Sequence, residues 1–144
     1  MRIYLDTCVL NRPFDDQSNS RVRNETESIT FILDRIRDHS IDLIWSSAID
    51  YENDRSPAGG RRETVSQWRS FAMVEVSATK SVGQNAERLV ELGFGDVDAI
   101  HLASAIVGKA DYFVTTDDGI LRKLSRVPEI AVLDPIELMR LIES

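Results

Sequence analysis

Ile3-Tyr4-Leu5-Asp6-Thr7-Cys8-Val9-Leu10 opens the chain with an apolar run that stops on an acid. Met1–Leu5 reads as a short strand ending at Asp6. Thr7–Arg12 can continue as a helix, which Pro13 interrupts because proline lacks an N–H and crowds the preceding turn. The same punctuation recurs along the chain. Asp42–Ser46 (D-L-I-W-S) is a second apolar strand, and Ser47 then caps a helix carrying Ala48, Ile49, Tyr51 and Glu52. Ala72–Val76, Tyr112–Thr115 and Ile130–Leu133 read as further strands. Between them, Arg21–Asp38 carries Val22, Ile29, Ile32, Leu33 and Ile36 on one helical stripe. Arg61–Phe71, Lys80–Leu92, Val97–Val107, Asp118–Leu124 and Pro135–Ile142 read as helices, with Gly93 and Gly95 separating the second from the third. Strands that alternate with helices predict an α/β fold: a three-layer α/β/α sandwich around a central parallel sheet of about five strands.

The 144 residues fit one domain, 1–144, and the Arg55–Gly60 break is too short for a linker. No apolar run approaches the roughly 18 residues of a membrane span, and Asp6 interrupts any signal-like start, so no membrane partner and a cytoplasmic location are expected. The single cysteine, Cys8, excludes an internal disulfide framework and a cysteine zinc site, and reads as a small buried hydrophobe. With 24 acids against 17 bases the net charge is −7, which disfavours a protein that coats nucleic acid. The positions of the acids therefore matter more than their number.

In an open parallel sheet, sites form beyond the carboxyl ends of the strands. Asp6 follows the first strand, Glu52 lies within two turns of the second, Asp117 follows Tyr112–Thr115, and Asp98 follows the glycine break. Each has an ordinary competing role. Asp117 can be a helix N-cap, Asp96 a cap for the helix at Val97, and Glu52 a solvated side chain. Asp6 is harder to dismiss, because a semi-buried carboxylate needs donors, a cation or a proton. Asp50 reads as solvent-facing, Asp118 as serving a helix start, and His39 and His101 as structural. Four clustered carboxylates repel one another, and an all-oxygen acidic set suits Mg2+ or Mn2+ better than zinc. Such ions serve phosphoryl-transfer chemistry.

Ile3–Leu10, Ser46-Ser47-Ala48-Ile49-Asp50-Tyr51-Glu52, Gly95-Asp96-Val97-Asp98-Ala99-Ile100-His101-Leu102-Ala103 and Tyr112-Phe113-Val114-Thr115-Thr116-Asp117-Asp118-Gly119-Ile120 occur in that order over nearly the whole chain. In this the sequence resembles a PIN-domain ribonuclease of the VapC-like toxin type. The resemblance implies an Mg2+- or Mn2+-dependent endoribonuclease with RNA as substrate, an antitoxin protein as partner and a homodimer. It implies Asp6, Glu52, Asp98 and Asp117 as catalytic metal ligands. Thr7, Asp96, Thr115 and Thr116 are supporting or alternative ligands. Cys8 departs from the pattern, since a polar residue such as asparagine or serine is frequent there.

Substrate phosphates need cations. Arg12, beside Asn11 and close to Asp6, is the first candidate, and Arg61 and Arg62 after the glycine break are the next. Phe14 and Trp68 are the aromatics available for base stacking, whereas Trp45 and Phe113 read as core. Two other classes compete. A haloacid-dehalogenase-like phosphatase would use Asp6 as nucleophile, but needs a second aspartate where Cys8 stands. A non-catalytic PIN-like binding module would not need the acids.

Overall fold

Ile3, Tyr4 and Leu5 have no accessible surface, as befits a strand covered on both faces. They form β1 (Arg2–Leu5), which lies at the centre of the sheet between β2 (Asp42–Ser46) and β4 (Tyr112–Val114). β3 (Ala72–Val76) and β5 (Ala131–Leu133) are the edges. The order is β3-β2-β1-β4-β5 and every pairing is parallel, as expected from the alternation of strands and helices. The computed structural model describes residues 1–144.

Eight helices follow in chain order: α1 (Thr7–Asn11), α2 (Ser20–Arg37), α3 (Ser47–Asp54), α4 (Gly60–Gln67), α5 (Lys80–Glu91), α6 (Asp96–Val107), α7 (Asp118–Leu121) and α8 (Pro135–Glu143). α2 packs on α8, while α5 and α3 pack on α6, giving the layers of an α/β sandwich around one continuous apolar core. Ile29, Ile32 and Ile36 of the predicted stripe on α2 are fully buried, and Val22 and Leu33 flank them at partial exposure. Trp45 and Phe113 are core residues as read from the sequence.

Several local expectations are corrected. Ser46, not Ser47, caps α3, because its extended backbone lets Oγ accept the Ile49 N–H at 3.2 Å. Gly95, not Asp96, is the N-cap of α6, so Asp96 is the first helical residue and makes no cap bond. Pro13 does interrupt the first helix as expected: α1 ends at Asn11, and Arg12–Phe14 follows as a 3-10 turn with the proline near its start, where no N–H is needed from it. The helix expected over Asp118–Leu124 stops at Leu121 and resumes as a 3-10 turn at Leu124–Arg126.

The topology positions the site. The chain runs outward from β1 through β2 to β3, then returns to β4 on the other side of β1. The carboxyl ends of β1 and β4 are thus a topological switch point, where an open α/β sheet leaves a crevice. Asp6 directly follows β1, and Asp117 lies three residues beyond the end of β4.

A buried ion cluster ties the flanking segments to this crevice. Glu25 on α2, with 3% of its surface exposed, accepts from Arg12 Nε at 3.0 Å and Nη2 at 2.8 Å. Arg21 approaches the same carboxylate at 3.5 Å, donates to both oxygens of Asp118 and reaches the Thr116 carbonyl at 3.0 Å.

Candidate active site

Asp6 is 5% exposed and caps α1, with Oδ1 accepting the Thr7 N–H at 2.9 Å. Thr115 donates its hydroxyl to Oδ2 at 2.9 Å, and the Cys8 thiol donates to the same oxygen at 3.5 Å. Burial raises the Asp6 carboxyl above its ordinary range, opposed by His101 and by the Thr115 hydrogen bond. Thr115 also accepts the Asp117 N–H at 3.0 Å, so one hydroxyl sets the positions of two acids. Cys8 is therefore not simply a small hydrophobe. It stands in the polar shell of Asp6, accepts the Thr116 N–H at 3.5 Å, and has its thiol pushed up to about 12 by burial and the Asp6 charge.

Glu52 projects from α3 and is held by His101, whose Nε2 lies 3.0 Å from Oε1. That contact, foremost, lowers the Glu52 carboxyl below its usual range. The Thr7 hydroxyl lies near enough to Glu52 to contribute, yet Thr7 Oγ1 makes no hydrogen bond of ordinary geometry and is buried without a partner. Asp98, in the first turn of α6, is half-buried. Desolvation, then the charges of Asp6 and Asp117, push its carboxyl up to about 6. Asp117 is an N-cap, as its competing reading held: Oδ1 accepts from Gly119 N at 2.7 Å and Ile120 N at 3.2 Å. Its charge nevertheless acts on Asp98, so the cap and the acidic cluster coexist.

The tightest group is Asp6, Glu52 and His101, each offering one ligand atom within 4.8 Å of the others. Asp98 and Asp117 lie outside this group, and Asp98 feels the charges of both the group and Asp117. A divalent cation fits here on two counts: two carboxylates converge beside a third, Asp98, raised by burial and by charges that include theirs, and the orphaned Thr7 oxygen lies beside them. His101, which the sequence reading set aside as structural, is thus part of the site. The available signal was its position three residues after Asp98, which places both on one face of α6.

Other expectations change with the side-chain contacts. Arg12 is not free to meet a substrate: its guanidinium is paired with Glu25 and Asp15. Arg61 does stand at the site, in a depression of about 360 Å³ lined by Thr7, Cys8, Asn11, Asp15, Glu52 and Ser56. It donates to Asn11 Oδ1 at 3.0 Å and to Asp15 at 2.9 Å, and lies 5.9 Å from the ring centroid of the exposed Phe14. Arg62 is half-buried, and its carbonyl accepts from Asn53. Asp50 is not merely solvated, since it accepts from Trp45 Nε1 at 2.8 Å and pairs with Arg69. Asp96 lines an apolar depression with Tyr51, Val97 and Ile100.

No protein-family model and no curated protein sequence matches the chain. Solved structures do. FitAcB from Neisseria gonorrhoeae superposes with a TM-score of 0.61 at 17% identity over 92% of this chain and 97% of that one. The FitAB complex bound to an IR36 DNA fragment gives 0.59 at 21% identity, covering 93% and 95%. VapBC2 from Rickettsia felis, bound to a DNA fragment from its promoter, gives 0.56 at 14% identity, covering 93% and 98%. The fold is PIN-like. In this PIN-like protein Asp6, Glu52 and His101 meet just beyond β1, and Asp98 feels their charges and that of Asp117. No helix is long and apolar enough to cross a membrane.

Proposed function

We propose that this PIN-like protein is a divalent-metal-dependent endoribonuclease, the toxin of a type II toxin–antitoxin pair. The observation that carries the reading is the convergence of Asp6, Glu52 and His101, with Asp98 raised by burial and then by the neighbouring carboxylates. Asp6, Glu52, Asp98 and Asp117 would hold Mg2+ or Mn2+, with Thr7 as an adjoining polar group, while Asp96 faces the neighbouring apolar depression. Bound by these residues, a divalent cation would supply charge neutralisation for phosphodiester oxygens and a water of lowered pKa.

The remaining work falls to the chain itself. Thr115 orients Asp6 and Asp117 through its hydroxyl, and Thr116 passes the Arg21 contact into the same loop. Asn11 holds Arg61 at the mouth of the depression, where its guanidinium meets a substrate phosphate while Phe14 offers a face to a base. Arg12 acts indirectly, by pairing with Asp15, and Arg62 follows Arg61 in α4 with its carbonyl bonded to Asn53. The antitoxin partner is supported by the neighbours having been crystallised as VapBC2 and FitAB complexes. A homodimer is supported by Tyr51, Val97 and Ile100, exposed together around an apolar depression of about 440 Å³.

Cleavage of a panel of RNAs with Mg2+ or Mn2+ tests the activity, with Asp6→Asn and Asp98→Asn as controls. Both variants are expected to lose at least about a hundredfold in rate, and an Asp6→Asn protein that cleaves like the parent sinks the reading. Isothermal titration with Mn2+ separates it from a binding module: no binding at neutral pH favours the module.

A further inference from the structure

His101 is 1% exposed and touches polar groups at both ring nitrogens. Nδ1 lies 2.6 Å from the Tyr4 hydroxyl, and Nε2 lies 3.0 Å from Glu52 Oε1. The Tyr4 hydroxyl, itself fully buried, is also 2.6 Å from Ser46 Oγ. Ser46 Oγ accepts the Ile49 N–H at the start of α3 and still has its own proton to give.

These contacts have one ordering of protons for a neutral imidazole that leaves no pair unmatched. Ser46 donates to Tyr4, Tyr4 donates to Nδ1, and the ring proton sits on Nε2, where it is donated to Glu52. The other neutral tautomer sets the Nε2 lone pair against a carboxylate oxygen at 3.0 Å, two acceptors with no proton between them. We infer that the Glu52 carboxylate fixes His101 as the Nε2–H tautomer, with Ser46 and Tyr4 supplying the matching donor to Nδ1, which makes His101 the positioning residue of Glu52 and not a metal ligand. The relay runs from the end of β2 through β1 and α6 to α3, so the elements that build the crevice also set the direction of the hydrogen bond at its rim. With Nε2 protonated, the donors left for the cation are oxygens, which selects a hard ion over zinc.

The inference rests on Glu52 being a ligand, but its test needs no RNA. Long-range 1H–15N spectra of the metal-free protein, at about pH 9 where an ordinary imidazole is neutral, are expected to show a pyridine-type Nδ1 and a pyrrole-type Nε2 for His101. Adding Mg2+ is expected to leave Nε2 protonated. A pyrrole-type Nδ1, an imidazolium that persists at that pH, or loss of the Nε2 proton on adding Mg2+ each overturns the inference.

Variants add a graded readout. In His101→Gln the side-chain amide can still donate to Glu52, and its Mn2+ affinity is expected to stay near the parent's. His101→Asn, too short to reach, is expected to lose about tenfold or more. Equal losses in the two folded variants overturn the positioning role. Tyr4→Phe takes the donor from Nδ1 while Nε2 still faces Glu52, so it is expected to move the Nδ1 signal and keep the Nε2 proton; a pyrrole-type Nδ1 in the folded variant overturns the inference, and the parent spectrum decides if that variant does not fold. A protein with the Nε2–H tautomer that cleaves no RNA keeps the relay and loses the nuclease reading.

Discussion

The acid that most constrains the behaviour of the metal-free protein is Asp98. Its carboxyl is pushed up to about 6 by burial and by Asp6 and Asp117, against about 3.9 for a free aspartate. Between those values the native state holds a proton that the unfolded chain has released. Stability conferred by the protonated form is therefore lost as pH rises through this window, and the loss is complete above about pH 6. Asp98→Asn is expected to raise the metal-free melting temperature at pH 8 by on the order of a few degrees and to change little at pH 4. Thermal melts at the two pH values check this, and an equal shift at both would mean that the charge cluster is not the cause. The size stays modest because Asp98 is only half-buried and water screens it. At this scale the sequence showed the acids but not their partners. Nothing near Cys8 in the sequence indicates that Thr115 and Thr116 will meet its sulfur, and nothing near Glu52 indicates His101.

Among elements, α2 has a second task besides covering the sheet. Its apolar stripe was legible in the sequence because helical periodicity is local. Its buried Glu25 was not, because the i,i+4 spacing from Arg21 reads as an ordinary surface pair and the closer partner, Arg12, lies 13 residues away outside the helix. Glu25→Ala leaves both guanidinium groups without their shared carboxylate. It is expected to cost about 2–3 kcal/mol, less than a fully buried pair because Arg12 keeps Asp15. Urea denaturation measures this, and a loss under about 0.5 kcal/mol would place the cluster among ordinary surface pairs. The closing helix α8 offers a smaller, independent case. Asp134 and Glu137 form a complete capping box, so Asp134→Ala is expected to cost about 1 kcal/mol in the same assay.

For the whole molecule, the net charge of −7 and the proposed activity on RNA are reconciled by where the charge lies. Two divalent ions at the acidic cluster would bring it to about −3. Mg2+ at a hundred times its dissociation constant is expected to stabilise the protein by about 2.7 kcal/mol, raising the melting temperature reversibly with a chelator. Asp6→Asn is expected to abolish that shift. Sedimentation checks the homodimer: the parent is expected to sediment as a dimer and Ile100→Asp as a monomer, whereas a parent that stays monomeric removes Tyr51, Val97 and Ile100 as a self-interface. The sequence by itself determined the alternation of elements, the parallel sheet and the placing of acids after strands. A buried strand must be apolar and a helix must repeat every 3.6 residues, and both constraints act within a few residues. The tertiary structure alone decided that His101 joins the site, that Arg12 leaves it for Glu25, and that Asp50 serves Trp45. His101 and Tyr4 are 97 residues apart, and a hydrogen bond over such a span comes from how helices and strands pack, which no local pattern of residues records.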